Sequence, residues 1–327
     1  MRNAVFNEEA MIDGMMGLVV GDALGCPVQF LSRSEIRNRE AGPVTGMEEF
    51  GTYLMPKGTW TDDSSLALAA LASIRKMGRI DLTDIMERFA DWEFNGAYTP
   101  YGNAFDQGLT CLEAIYRYQR EKDVTTCGKQ GERANGNGAL MRILPVGVYY
   151  AEQVKRGKCT DAEAVQGIHA VASLTHNHLR SNIACGLYYF MIKALLEADR
   201  EGESLVECLQ NGLDAGFAFY EKDLTNLTQL AYYERTRNLA AFSETEEKEI
   251  VGSGYVVASF EAALWCLVTT ENLKECLLKA VNLGDDTDTV AAIAGGLAGL
   301  YYGYEAFPDD WLKVIVKRDW IEELCVF

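Results

Sequence analysis

Paired cysteines, clustered basic charge and alternating β-branched runs are all missing from this chain of 327 residues, and each absence removes a class of protein. The nine cysteines are scattered, odd in number and never spaced C-x-x-C. That speaks against a disulfide framework or a zinc–thiolate site and for reduced thiols. Lys and Arg number 30 against 48 Asp and Glu, a formal charge of −18. No basic face is then expected to hold duplex nucleic acid through its phosphates. A small phosphorylated ligand is still compatible, because backbone N–H groups and metal ions can hold one. The longest uncharged run, Thr289–Tyr304, is glycine-rich and short for a membrane span. Glu8, Glu9 and Asp13 stand where an export signal needs a basic flank and an unbroken apolar stretch. The expectation is a soluble, cytoplasmic protein with no membrane contact, a monomer or small homo-oligomer.

What is present is helical periodicity. Apolar residues recur at three- and four-residue spacing over roughly 8–24, 64–77, 81–94, 103–120, 138–156, 161–174, 179–199, 203–220, 224–240, 254–269, 272–282 and 288–303. Only Tyr255–Val257 and Val314–Val316 hint at strand, and both sit inside helical patterns. The pattern predicts an all-α fold of many helices with short connections. Ser32–Lys57, Lys122–Gly136 and Ser243–Gly254 read as loops, with the acidic run Glu244–Glu249 as a solvated surface. No low-complexity linker or fixed repeat divides the chain, so residues 1–327 are read as one domain.

Two acidic clusters more than two hundred residues apart carry the chemistry. One reads Thr61-Asp62-Asp63-Ser64-Ser65, the other Asp285-Asp286-Thr287-Asp288-Thr289, and a helix-forming run follows each. A single carboxylate is enough to cap a helix start. Crowding two or three costs repulsion unless a cation sits between them, and oxygen-only donors suit Mg²⁺, Mn²⁺ or Ca²⁺ rather than zinc. Either cluster alone reads first as a cap; together they favour a metal site. Glycines 14, 17, 21 and 25 share one face of the first helix, and Ala291, Gly295 and Gly299 share one face of the last long one. Glycine inside a helix costs up to roughly 1 kcal/mol, so close backbone approach between these two faces is expected. Asp22, set among small residues, then needs a buried partner, as support for a ligand or a cap.

Taken in order, the motifs resemble those of the ADP-ribosylglycohydrolase family. They are Gly21-Asp22-Ala23-Leu24-Gly25-Cys26-Pro27-Val28-Gln29-Phe30, Gly58-Thr59-Trp60-Thr61-Asp62-Asp63, Asn137–Arg142, Ser173-Leu174-Thr175-His176, Gly252–Val257 and Gly284–Thr289. The resemblance implies an all-α fold with two divalent cations, Mg²⁺ or Mn²⁺, at the base of an ADP-ribose cleft. Carried over residue by residue, it implies metal ligation by Thr61, Asp62, Asp63, Asp286, Asp288 and Thr289, with Asp285 turned to solvent. It places Asp106, in an Asp-x-Gly-x-Thr segment, beside the reacting sugar as acid/base or metal neighbour; ordinary capping is the competing use. Asp62 and Gln29 join Asp106 as catalytic candidates.

The loop Asn135-Gly136-Asn137-Gly138, leading into a helix expected near Ala139, suits an anion such as the diphosphate. A tight turn accounts for its glycines equally well. His176 is placed beside the ligand by the resemblance, whereas His176 and His178 as a zinc pair lack further ligands at sensible spacing. His169 reads as a satisfied core histidine. Tyr255 suits stacking on a base or sugar, or a place in the core. Position 29 departs from the family pattern, which usually has Glu there. Gln can ligate a cation or bind a hydroxyl but cannot act as a base. The implied activity is hydrolysis of an ADP-ribosyl N-glycosidic bond, foremost to arginine on a protein. Other conjugates (serine, a nucleic-acid base, O-acyl) and a non-catalytic ADP-ribose binder are the alternatives. The expected partner is an ADP-ribosylated protein or small ADP-ribosyl conjugate.

Overall fold

Helix boundaries follow local signals. Ser32, Thr160 and Ser204 cap their helices while Glu35, Glu163 and Glu207 reach back to close capping boxes. Gly78 and Gly96 end theirs in left-handed backbone. The computed structural model describes residues 7–199 and 202–327. Its helices are α1 Glu8–Gly25, α2 Arg33–Asn38, α3 Asp62–Met77, α4 Leu82–Asn95, α5 Leu109–Glu121, α6 Leu144–Lys155, α7 Asp161–Ser173 and α8 Leu179–Glu197. They continue as α9 Leu205–Tyr220, α10 Leu227–Leu230, α11 Leu239–Ser243, α12 Val256–Val268, α13 Leu273–Val281, α14 Thr287–Tyr302, α15 Asp309–Leu312 and α16 Arg318–Cys325. Among the described residues there is no strand, only isolated bridges such as Gly136 with Tyr255. The fold is all-α.

The two chain halves meet along α1 and α14. A Cβ on Gly21 would overlap the Ala291 carbonyl, and one on Gly295 the Gly17 carbonyl. The small-residue faces let the two backbones touch. Although Glu8–Val28 is long and apolar enough to cross a membrane, 89% of its apolar 18-residue window is buried inside the molecule. Here it serves as a core helix.

Several sequence expectations are corrected. The segment expected as helix from 103 begins only at Leu109; Asp106 before it has φ 60°, outside the right-handed helical region. The segment expected as helix from 138 begins at Leu144, and 138–142 form turns. Pro145 is accommodated in the first helical turn, whereas a helix running back through Met141 would drive the proline ring into that carbonyl. The expected helix over 224–240 breaks into short 3₁₀ and α turns, restarted by side-chain caps from Asp223 and Asn238. Val314–Val316 lies in a turn, with Val316 N–H donating to Gly58 O at 3.1 Å. The loop expected over Ser32–Lys57 contains α2, and Glu247 of the acidic run receives the Arg37 guanidinium.

Candidate active site

The α1–α14 contact decides what stands at its open end. Asp22, fully buried near the end of α1, accepts from Thr61 N–H at 2.9 Å, Ser64 N–H at 3.0 Å and Ser64 Oγ at 2.5 Å. The start of α3 is therefore capped by its own Thr61 side chain and by a carboxylate from another helix, and the Asp62 and Asp63 carboxylates are released from that task. Burial pushes the Asp22 carboxyl up to about 7, with the three donations pulling against it. At α14, the Asp288 backbone lies against Gly25, and Thr287 Oγ1 donates to Gly25 O at 2.8 Å. Asp286 N–H donates to Gly252 O at 2.7 Å, and its carboxylate accepts from Asn137 Nδ2 at 2.7 Å. Thr289 Oγ1 donates to Asp63 Oδ2 at 3.4 Å, joining the two clusters. Asp285 is exposed, as expected, and its backbone pairs with Phe30 and Leu31.

Burial, then neighbouring carboxylates, raises Asp62, Asp63 and Asp288 well above the usual carboxylate range. Asp106 is also raised by burial, and relieved in part by Tyr53, Asp288 and Gln29 around it. The Tyr53 hydroxyl donates to Asp106 Oδ1. Among the described residues, Asp63 Oδ1, Asp106 Oδ2, Asp288 Oδ2 and Gln29 Oε1 are buried without a hydrogen-bond partner. Among the described residues no group of three or more His, Cys, Asp and Glu forms a ready-made ligand set. The further oxygens here are threonine hydroxyls and the Gln29 amide. Orphaned buried oxygens among mutually repelling acids fit hard divalent cations, which take carboxylate, hydroxyl and amide oxygen.

A cavity of about 330 Å³ opens on this cluster, lined by Gln29, Asp62, Asp63, Asp106, Asp286 and Thr289 together with Gly136, Asn137, Gly138 and His176. Residues from six separate segments of the chain are thus brought to one space. Thr61 and Asp288 stand behind it: Thr61 Oγ1 donates to Asp63 Oδ2 at 3.3 Å, and Asp288 faces Asp106. Asn135 does not line the cavity; it shapes the loop through Val256 N–H donating to its carbonyl at 3.0 Å. Asn137 N–H donates to Gly254 O at 3.0 Å, so backbone pairing with 254–256 takes the place of the expected helix mouth. Tyr255 also lies outside the lining, its hydroxyl accepting from Arg180 at 3.1 Å. His169 pairs through Nε2 with the Tyr220 hydroxyl at 2.7 Å, and burial pushes it down to about 4. His178 caps α8.

Sequence reasoning missed Tyr53 and Arg142. Nothing local marks Tyr53; the loop carries it inward because Thr52 N–H donates to Pro27 O at 2.9 Å and Thr52 Oγ1 to Gln29 O at 2.6 Å. Arg142 had a visible signal, a lone cation inside the apolar run from Ala139 to Val148. It is buried against Gly138 O, Thr175 Oγ1 and the Phe89 ring. Phe30, Tyr53 and Phe105 form an aromatic series near the cavity, with edge contacts at centroid distances of 6.4 and 5.4 Å.

Comparison with known proteins gives the same address. The chain is 30% identical over 310 residues to "ADP-ribosylarginine hydrolase Tri1" of Serratia proteamaculans (strain 568), covering 95% of this chain and 76% of that one. It is 30% identical over 302 residues to "ADP-ribosyl-[dinitrogen reductase] glycohydrolase" of Rhodospirillum rubrum, covering 92% and 88%. A solved structure described as "ADP-ribosylglycohydrolase-related protein complex" superposes with a TM-score of 0.73 at 28% identity, covering 98% of this chain and 96% of the other. The family model for ADP-ribosylglycohydrolase matches residues 5–326. This chain belongs to the ADP-ribosylglycohydrolase family and is a hydrolase of that type.

Proposed function

We propose that this chain hydrolyses the N-glycosidic bond between ADP-ribose and an arginine side chain of a protein, with two divalent cations, Mg²⁺ or Mn²⁺, held by Thr61, Asp62, Asp63, Asp286, Asp288 and Thr289. The observation that carries this reading is the buried convergence of two helix starts beside the cavity, with Asp63 Oδ1 and Asp288 Oδ2 unpartnered. The arginine linkage is supported by the names of the relatives from Serratia and Rhodospirillum. When bound, the cations supply Lewis-acid polarisation of hydroxyls and a water of lowered pKa.

The side chains do the rest. Asp106, steadied through Oδ1 by Tyr53, keeps Oδ2 free to face positive charge developing on the sugar and to exchange a proton with the leaving guanidine. Asp62 stands beside it on the cavity wall. Gln29 Oε1 can accept from a sugar hydroxyl, and as an amide it takes no proton. Gly136, Asn137, Gly138 and His176 form the wall suited to the diphosphate and distal ribose. Asn135 and Tyr255 support that wall from behind. The chain acts as one domain on a cytoplasmic substrate, in keeping with its nine free cysteines.

The test is release of ADP-ribose from ADP-ribosyl-arginine with Mg²⁺ or Mn²⁺, repeated with a chelator. Metal-dependent release is expected, and release from a serine conjugate alone would move the linkage. Gln29 favours one other reading, a family member that binds ADP-ribose without turnover; tight binding with no release under either metal is its signature.

A further inference from the structure

His176 occupies the cavity wall with one ring nitrogen committed and the other not. Nδ1 lies 2.8 Å from Thr175 Oγ1. Among the described residues no protein group hydrogen-bonds Nε2, which faces the backbone of Gly136 and Gly138. A Cβ at Gly136 would stand 3.2 Å from Nε2, and one at Gly138 would stand 2.9 Å from Cε1 and 3.4 Å from Nε2. The two glycines keep that ring edge uncovered.

What fixes the proton is the residue behind. Arg142 Nη2 lies 2.8 Å from the same Thr175 Oγ1. A guanidinium only donates, so the threonine oxygen accepts there and has one proton left to give. Its neighbours are His176 Nδ1 and the Cys111 thiol, and an imidazole nitrogen is much the better acceptor. Thr175 is fully buried, so water does not compete. We propose that Arg142 and Thr175 form a one-way donor relay that locks His176 in its Nε2–H tautomer, presenting an N–H between Gly136 and Gly138 to an acceptor-only oxygen such as that of a diphosphate. Arg142 and Thr175 are positioning residues; His176 makes the contact. Burial, with Arg142 and Lys129 nearby, pushes the imidazole down to about 3 and keeps it neutral, as a fixed tautomer requires.

The identity of the ligand rests on the ADP-ribose reading; the tautomer does not, and the experiment separates them. The chain has three histidines, so long-range proton–nitrogen spectra of the full-length protein labelled at histidine can be assigned with the variants His169→Gln and His178→Gln. His176 should show a protonated Nε2 and a bare Nδ1 without any ligand, and a protonated Nδ1 overturns the relay. Calorimetry with ADP-ribose gives the second arm. Thr175→Val should weaken binding roughly tenfold, the worth of one hydrogen bond to a charged group, while Thr175→Ser stays within about twofold. Native affinity in Thr175→Val overturns the relay's role in binding, and the spectra of the native chain decide the tautomer even if that variant fails to fold. No binding of ADP-ribose by the native chain overturns the ligand assignment while the spectra still decide the relay.

Discussion

The starts of α3 and α14 carry nearly the same letters and solve the same problem differently. At α3 Asp22 of α1 takes up the N–H groups of Thr61 and Ser64, Thr61 Oγ1 accepts from Asp63 N–H, and the carboxylates of Asp62 and Asp63 are left out of the capping. At α14 no carboxylate from elsewhere among the described residues does this. Asp288 Oδ1 accepts from its own neighbour Thr289 N–H at 2.9 Å, and Asp286 is held from the side by Asn137. One start is fully freed by a buried donor-acceptor hub, and the other is half spent on itself. The lesson is that an acid at a helix start does not reveal whether it caps; that depends on which residue the rest of the fold brings to the N–H groups. The two starts should therefore respond differently to substitution.

The largest effect is expected at the hub. Asp22→Ala strands buried donors at the start of α3, each costing about 1–3 kcal/mol, so the urea midpoint should fall by the equivalent of about 3 kcal/mol and turnover should vanish. A variant of native stability would show that the Thr61 cap alone suffices for α3.

Next come the freed acids. Asp63→Asn should lower turnover by at least about 100-fold, yet raise the melting temperature of the chelated protein, because it removes a buried charge crowded by Asp22 and Asp286. The same logic gives a pH dependence. Carboxyls raised in the folded state bind more protons there than in the unfolded chain. Their stabilisation is complete below the ordinary carboxylate range and is lost as pH climbs through the raised values, for Asp22 between 3.8 and about 7. As pH climbs through the raised Asp63 value the chelated protein should lose melting temperature relative to Asp63→Asn, and Mg²⁺ or Mn²⁺ should restore more of it at the higher pH. Parallel curves for the two proteins would remove Asp63 from the coupled cluster.

A smaller effect is expected on the α14 side. Asn137→Ala removes the amide held at 2.7 Å by the half-buried Asp286, so about 1 kcal/mol of stability and about tenfold in turnover should go, with the fold intact. A loss as large as that of Asp22→Ala would erase the difference between the two starts.

How much of this was readable beforehand depends on the range of the physics. The helical class, the α1–α14 approach through Gly21 and Gly295, and the buried need of Asp22 follow from spacing and residue size, which are local properties. The acids were legible because their crowding is costly wherever they sit. Tyr53 was not legible, since it reaches Asp106 only because Thr52 pairs with Pro27 and Gln29 across the loop. The false helix start near Ala139 has the same origin. Apolar periodicity continued through 138–143, but the Asn135–Gly138 loop pairs with 254–256 and Pro145 sets the start at Leu144. Tertiary hydrogen bonding overrode a pattern that was locally sound.

The smallest expected change is at Gln29, and it tests whether the freed start of α3 tolerates one more acid. Gln29 is 4% exposed, its Oε1 is without a partner, and its side chain faces Asp106. Glu at this position adds a carboxylate to a cluster whose members already hold each other's pKa up, so Gln29→Glu should lower the melting temperature of the chelated protein. With Mg²⁺ or Mn²⁺ present the added charge is offset and an extra hard oxygen ligand becomes available. Turnover on ADP-ribosyl-arginine should then stay level or rise a few-fold. A fall to nothing would mean that the amide's own N–H groups do a job no carboxylate can do, placing a donor rather than another acceptor next to Asp106. The chelated melting curve separates that outcome from simple misfolding, since a folded but inactive Gln29→Glu protein can have lost only the donor.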